Sequence, residues 1–202
     1  MIERREIKDI ERTVRERLIE AGKQEFLEQG YEKASLRKIC ANAGVTTGAL
    51  YFSFENKADL FESVVGDTIN LLEKLAQEMM ENEFEDLSVG VENEKRLLEF
   101  LWKNHEVFII LLEKAKATKY ENFLETILQD LEITYEKFFI KYGQSKPDKA
   151  LIHILVKMKM QGYLELIKGG YSLETTLQLA ERVGWYAEGG FESLMKKLNQ
   201  RM

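Results

Sequence analysis

A single proline, Pro147, occurs in the 202 residues of this chain, and that scarcity constrains the fold more than any other feature. Proline interrupts helices, so its absence leaves long segments, rich in Leu, Glu and Lys, that favour helix. No segment shows the alternation of apolar and polar residues that a half-buried strand needs. The sequence therefore predicts an all-α protein of about nine helices.

Composition narrows the class of protein further. The chain is 45% apolar and 32% charged, as in globular proteins, and is long enough to bury a core. Cys40 is the only cysteine, so no internal disulfide can form. The N-terminal residues are charged throughout, and no apolar run approaches the roughly 18 residues of a membrane span. We expect a cytoplasmic protein that has no membrane partner.

Local start and stop signals predict the helix boundaries in the N-terminal part. After a mixed-charge arm over residues 1–12, a first helix ends at Gly30. Ser35 and Thr46 are side-chain caps that begin the second and third helices, and Gly44 lies in the turn between them. Asn56 begins a long fourth helix that reaches residue 80 or so.

Further helices are predicted in the C-terminal part, with a loop over 81–91 before them. They lie near 92–103, 105–118 and 120–142. A Ser145 cap with Pro147 in the first turn begins a helix that runs to about residue 168. Ser172 caps a final helix to about residue 200.

The segment from residue 35 to residue 54 has the layout of a helix-turn-helix motif: a short helix, a tight glycine turn and a second short helix. Small or polar residues stand at the start of the second helix, from Thr46 to Ala49. Such residues let a helix approach base edges in the major groove of DNA. Leu36, Ile39 and Leu50 are predicted to hold the two helices together.

Residues 12–72 resemble the DNA-binding domain of the tetracycline-repressor (TetR) family of bacterial transcriptional regulators. The resemblance rests on the order and spacing of short motifs, which read Gly30-Tyr31, Ser35-Leu36-Arg37, Ala43-Gly44-Val45, Gly48-Ala49-Leu50-Tyr51, Asn56-Lys57 and Asp59-Leu60. It implies an N-terminal three-helix DNA-binding domain over 12–72, and a helical ligand-binding and dimerisation domain over 73–202.

The resemblance also implies which residues contact double-stranded DNA. Those at base-contacting positions of the family are Arg37, Thr46, Thr47, Gly48, Ala49 and Phe52, and those at phosphate-contacting positions are Ser35, Tyr51, Ser53 and Lys57. The family often has Tyr or His at 52 and 53. The Phe and Ser found here lack or shorten the polar side-chain groups that would extend towards the DNA. The sequence of the palindromic operator is therefore not carried over.

The last helix has an apolar seam with 3-4 spacing, whose centre consists of small residues. Glycine within a helix costs about 1 kcal/mol relative to alanine, so Gly184 indicates close approach of another helix. The resemblance implies a homodimer formed by the last two helices. The predicted interface residues are Leu155, Gly162, Leu177, Ala180, Gly184, Ala187, Phe191 and Leu194.

Aromatic and methionine residues concentrate between the motif and the last helices. Each fits an ordinary helical core, and together they also fit an apolar ligand cavity. By resemblance such a cavity binds an unknown small molecule that moves the fourth helix and releases the operator. The predicted pocket residues are Trp102, His105, Phe108, Phe123, Tyr135, Phe139, Met158 and Tyr163.

The motifs of other function classes are absent from the sequence. No nucleophile triad, zinc-type cysteine pattern or phosphate-binding glycine loop occurs, so we expect neither an enzyme nor a cofactor or metal site. The leading interpretation is a homodimeric repressor that a small, largely apolar ligand releases from DNA. The alternative is a helical interaction or ligand-binding protein of the same fold with weak or lost DNA binding.

Overall fold

A computed structural model describes the backbone of residues 2–143 and 146–200, with side chains from residue 13 onward. The described residues form nine α-helices and no strand, which confirms the predicted all-α class. The helices are α1 Ile2–Lys33, α2 Leu36–Ala43, α3 Thr47–Ser53, α4 Lys57–Glu85, α5 Gly90–Lys103, α6 His105–Ile109, α7 Phe123–Lys141, α8 Lys149–Lys168 and α9 Leu173–Asn199. None of the described helices is long and apolar enough to cross a membrane.

The chain divides into two compact units. The first unit contains residues 1–70 and 106–123, and the second contains residues 71–105 and 124–202. Helix α4 contributes its first fourteen residues to the first unit and the rest to the second. The predicted boundary at residue 72 lies close to this division, but residues 106–123 pack with the N-terminal helices rather than with the C-terminal ones.

The first unit is built around the apolar faces of α1 to α4. Leu18, Ile39 and Leu50, from three different helices, are fully buried. Aromatic rings extend this core, with the Phe26 and Phe61 ring centroids 5.0 Å apart in an edge-to-face arrangement. Burial of these side chains, rather than intrinsic propensity, stabilises helices as short as α2 and α3.

The second unit packs α5 closely against α9. Gly184 of α9 faces Val91, and a Cβ added to this glycine would lie 3.4 Å from a Val91 methyl group. An ion pair at 2.9 Å between Lys95 and Glu181 joins the same two helices. A separate cluster of buried side chains combines α7, α8 and α9, and consists of Leu128, Phe139, Ile152, Val156 and Met195.

The connection between α4 and α5 differs from the prediction. The loop predicted over 81–91 is instead the end of α4 and a 3-10 turn at Leu87–Val89. The buried amide of Asn93 donates to the Met79 carbonyl at 3.3 Å and to Glu83 at 3.0 Å, which stabilises this extra turn of α4. No periodic sequence signal reports such a tertiary contact.

The helix predicted over 105–118 is also shorter than expected. Regular α-helix covers only α6, and a π-helical turn follows at Ile110–Lys114. Ala117 then adopts a left-handed conformation with φ of 65°, which ends the helix. The Thr118 hydroxyl donates to the Ala115 carbonyl at 2.6 Å and stabilises this ending.

Helix α8 begins later than predicted. Asp148 is its N-cap, and one carboxylate oxygen accepts from the amides of Ala150 at 2.9 Å and Leu151 at 3.2 Å. The predicted cap, Ser145, lies outside the described residues. At the other end of the chain, the predicted arm over 1–12 is helical and continuous with α1 from Ile2.

Candidate nucleic-acid interface

Helix α3 presents one face outward and anchors the other in the core. Leu50 is fully buried, and Phe54, just past the helix, is 2% exposed. On the opposite face Tyr51 is 61% exposed and Phe52 is 75% exposed, although both are large and aromatic. Thr47 and Gly48 are exposed beside them. Of the residues of α3 predicted to contact DNA, these four are therefore accessible, whereas Ala49 and Ser53 are half-buried.

The predicted caps orient α2 and α3. The Ser35 hydroxyl accepts from the Lys38 amide at 3.4 Å, and the Thr46 hydroxyl accepts from the Ala49 amide at 3.2 Å. Between the two helices Gly44 has φ of 65° and ψ of 38°, a left-handed conformation that explains the glycine. These local signals alone account for the turn of the helix-turn-helix motif.

A buried carboxylate holds the start of α2. Glu25 is only 2% exposed, and its Oε1 accepts from the Ser35 amide at 3.1 Å. Its other oxygen lies 2.7 Å from the Lys38 Nζ, which also binds Glu28 at 3.0 Å. Hydrogen bonds to these two carboxylates raise the pKa of Lys38. Sequence periodicity places Glu25 on the apolar stripe of α1 but does not identify this capping role.

The structure changes the interpretation of Lys57. Its Nζ donates to three backbone carbonyls, those of Tyr31 at 2.7 Å, Glu32 at 3.2 Å and Ala34 at 3.3 Å. The same ammonium lies 4.7 Å from the centroid of the Tyr31 ring. All three of its hydrogens are therefore committed inside the protein. Lys57 thus caps carbonyls at the C-terminal end of α1, which leaves its ammonium no free hydrogen for the predicted phosphate contact.

Other cations of the first unit are exposed at its surface. Arg37, at the start of α2, and Arg17 of α1 are exposed, as is Lys33. None of the three takes part in an ion pair with another described residue. By contrast, Arg15 is engaged, because its guanidinium lies 4.9 Å from the Phe54 ring and donates to Ser63 at 2.8 Å.

The predicted dimer residues lie mostly inside the protomer. Ala180 is fully buried and Gly184 packs on Val91 of α5, so the close approach that the glycine indicates is intramolecular. This differs from the prediction that both face a second subunit. Leu155, Phe191 and Leu194 are half-buried against the cluster of α7, α8 and α9, and Leu177 is half-buried as well. Only Gly162 and Ala187 of the predicted set are exposed.

The predicted pocket residues do not all belong to one unit. Phe108 and Phe123 lie in the first unit, and the other six lie in the second. Among those six, Met158 is 57% exposed, and His105 is exposed with Nδ1 2.9 Å from the Trp102 carbonyl. Phe139 and Tyr163 are buried, whereas Trp102 and Tyr135 are half-buried.

A cluster of polar side chains, which includes Glu94 and Lys159, lies around Tyr163 in the second unit. The Lys159 Nζ lies 3.1 Å from an oxygen of the buried Glu94 and 5.5 Å from the centroid of the Tyr163 ring. Burial raises the pKa of Tyr163 well above its ordinary value. Burial also raises the pKa of Glu83, although the Asn93 amide and Lys159 oppose that shift. The sequence reading missed Glu94 because it assigned charged residues to solvated faces.

Comparison with known proteins agrees with this geometry. A family model described as "Bacterial regulatory proteins, tetR family" matches residues 18–64, which run from α1 through the motif into α4. The transcriptional repressor BepR of Brucella suis is 48% identical over 52 residues, which are 26% of this chain and 25% of that protein. The transcriptional regulator TtgR of Pseudomonas putida is 36% identical over 61 residues, 30% of this chain and 29% of its own length. The chain thus matches these curated relatives over less than a third of their length.

Solved structures extend the likeness of fold to the C-terminal helices. A transcriptional regulator of Aquifex aeolicus superposes with a TM-score of 0.59 at 23% identity, covering 84% of this chain and 96% of that one. NalD of Pseudomonas aeruginosa, the secondary repressor of the MexAB-OprM multidrug efflux pump, gives 0.58 at 20% identity, with coverages of 89% and 96%. The arrangement is that of an all-α protein with an N-terminal helix-turn-helix motif. The sequence match to the TetR family of bacterial regulatory proteins thus lies in residues 18–64.

Proposed function

We propose that the protein is a homodimeric transcriptional repressor that binds a palindromic operator through α3 and leaves it when a small ligand binds. The observation that carries the proposal is the exposed face of α3, where Phe52 is 75% exposed next to Thr47 and Gly48. A large apolar side chain at the surface of a helix-turn-helix motif is accounted for when it enters a DNA groove. BepR, similar over the motif, is itself named a repressor.

Unpaired cations on α1 and α2 support contact with the DNA backbone. Arg37 and Arg17 are exposed and free of ion pairs among the described residues, so neither needs to break a partner to meet a phosphate. Each neutralised phosphate contributes about −0.9 to the slope of log K against log salt. Because the whole chain carries a net charge of −6, loose adhesion to DNA away from this surface is opposed.

Two exposed apolar stripes support a homodimer. On α8, Ile154 and Met158 are 55% and 57% exposed, and Gly162 continues the same four-residue spacing. On α9, Val183 and Tyr186 are 45% and 74% exposed. A second subunit that covers both stripes would remove this apolar surface from water. The helix-turn-helix motifs of the two subunits would then contact half-sites about 34–36 Å apart on the DNA.

The cluster of polar side chains around Tyr163 supports a binding site for the small ligand in the second unit. A ligand pocket combines apolar walls with a few buried polar groups that orient the ligand. Lys159, Glu94 and Tyr163 provide such groups among aromatic and aliphatic side chains. A ligand shifts the protein towards the state it binds more tightly, so release follows if that state fits the operator poorly. A protein that acts in this way would work in the cytoplasm.

The test is a selection of genomic fragments with the purified full-length chain, followed by titration of the recovered site at several salt concentrations. We expect one sequence-selective site whose affinity falls steeply with salt. Arg37→Ala should weaken binding on all sequences and make the salt slope shallower by about 0.9 per half-site. Lys74→Ala, an exposed lysine of α4 in the second unit, is the matched control and should change neither quantity.

The alternative function makes the opposite prediction. A helical interaction or ligand-binding protein of this fold would retain no fragment above background, while its fold and oligomeric state stay intact. Failure of the selection with a folded, dimeric sample would therefore overturn DNA binding and favour this alternative.

A further inference from the structure

The recognition surface of this protein has an unusual chemical restriction. Helix α3, Thr47–Ser53, contains no Arg, Lys, Asn, Gln, Asp or Glu. The bidentate hydrogen bonds that identify guanine come from Arg or Lys, and those that identify adenine come from Asn or Gln. None of these contacts can come from α3 itself.

The groups that α3 exposes are mainly apolar or small, and its polar side-chain groups are hydroxyls, such as those of Thr47 and Tyr51. The Phe52 ring is 75% exposed, Thr47 adds a methyl group beside its hydroxyl, and Gly48 has no side chain to hold the backbone away from the bases. In the major groove, the C5 methyl group of thymine is the one apolar feature that a base pair presents. Aromatic carbon and a threonine methyl are complementary to that methyl and to no other base edge.

The position of this surface is firmly held. Leu50 is fully buried and Phe54 nearly so, on either side of Phe52 in the sequence. The Arg15 guanidinium covers the Phe54 ring at 4.9 Å, and the Thr46 hydroxyl caps the first turn of α3. Phe52 therefore cannot turn into the core without displacing its neighbours.

We propose that the protein reads its operator through thymine methyl groups packed against Phe52 and Thr47, so that the DNA under α3 is A·T base pairs of fixed orientation. From α3, guanine can be met only by single hydrogen bonds from the hydroxyls of Thr47, Tyr51 or Ser53, which lack the bidentate geometry of an Arg contact. This inference rests on the proposed DNA binding and names the base chemistry that the same surface recognises.

The expected effect follows from the size of a methyl group. Burying one such group contributes about a fourfold difference in affinity. A dimer loses the contact in both half-sites, so removing the methyl from one symmetric thymine pair should weaken binding about fifteenfold.

The test uses the operator recovered by genomic selection and the full-length protein. Each symmetric pair of thymines is replaced in turn by 2′-deoxyuridine, which lacks only the methyl group, and binding is followed by fluorescence anisotropy at fixed salt. We expect a loss of about fifteenfold at one or two pairs and none elsewhere. Phe52→Ala should lose the sensitivity to uracil at the thymine pair that Phe52 contacts and keep it at a pair that Thr47 contacts, whereas Phe52→Leu, which keeps an apolar side chain, should retain part of the discrimination at the first pair.

A control variant and the pattern of results distinguish failure of the thymine readout from failure of DNA binding. Ile140→Ala removes another exposed apolar side chain, 54% exposed on α7, and should keep the full uracil sensitivity. Tight, selective binding with no sensitive pair, or equal weakening at every pair, would overturn the thymine readout and leave DNA binding intact. If no fragment is selected at all, the proposed function fails, and the readout fails with it.

Discussion

Replacing Lys57 by methionine should separate a structural role from a DNA-contacting one. Methionine keeps a similar stem length but removes the ammonium that donates to the Tyr31, Glu32 and Ala34 carbonyls at 2.7–3.3 Å. Hydrogen bonds from a charged group contribute about 1.5–3 kcal/mol, and a cation over an exposed aromatic ring about 0.5–1 kcal/mol. Because the side chain is only partly buried, we expect a loss of about 2 kcal/mol in the free energy of unfolding.

Thermal unfolding followed by circular dichroism measures this loss. For a chain of this length, about 2 kcal/mol corresponds to a fall in Tm of about 4–8 °C. Lys33→Met, at an exposed lysine without an ion pair among the described residues, is the control and should leave Tm unchanged. The salt slope of DNA binding should also stay unchanged for Lys57→Met. An unaltered Tm combined with a slope shallower by about 0.9 per half-site would refute the capping role and restore the phosphate contact.

Three further substitutions test the glycine turn at Gly44, the burial of the Glu83 carboxyl group and the proposed dimer. Gly44→Ala places a side chain at φ of 65° and should lower the free energy of unfolding by about 1–2 kcal/mol, as urea titration measures; no change would contradict the requirement for glycine. The pKa of Glu83 is raised mainly by burial, so the folded state holds this proton more tightly than the unfolded chain, and stability falls as pH rises from the unfolded to the folded pKa. Glu83→Gln, which can still accept the Asn93 hydrogen bond, should therefore raise Tm at neutral pH and lose that advantage in acid; an equal shift at both pH values would disprove the titration. If the proposed dimer forms, Tyr186→Glu on the exposed α9 stripe should yield a monomer in analytical ultracentrifugation, whereas Gln129→Glu on α7 should leave the dimer intact; a dimeric Tyr186→Glu would contradict the proposed interface.

The local elements of the motif could be predicted because each depends on near neighbours in sequence. Ser35 and Thr46 cap helices by binding amides three residues later, and Gly44 satisfies a backbone conformation that other residues avoid. Helical spacing then places Leu50 inward, against Leu36 and Ile39. None of these inferences needs the rest of the chain.

Long-range roles could not be predicted in the same way. Glu25 and Lys57 look like ordinary charged residues in sequence, but one holds the amide of Ser35 and the other holds carbonyls more than twenty residues away. Gly184 correctly indicated a close helix contact, and only the fold identified the partner as Val91 of α5 rather than a second subunit.

The sequence by itself therefore determined the all-α class and the helix-turn-helix motif, because periodicity and capping act over one or two helical turns. Tertiary structure alone decided which charged groups are available and which apolar surfaces are free. Both depend on what each side chain meets across the fold. That is why only the structure shows Lys57 bound to backbone carbonyls, Ala180 buried within the protomer and Phe52 exposed.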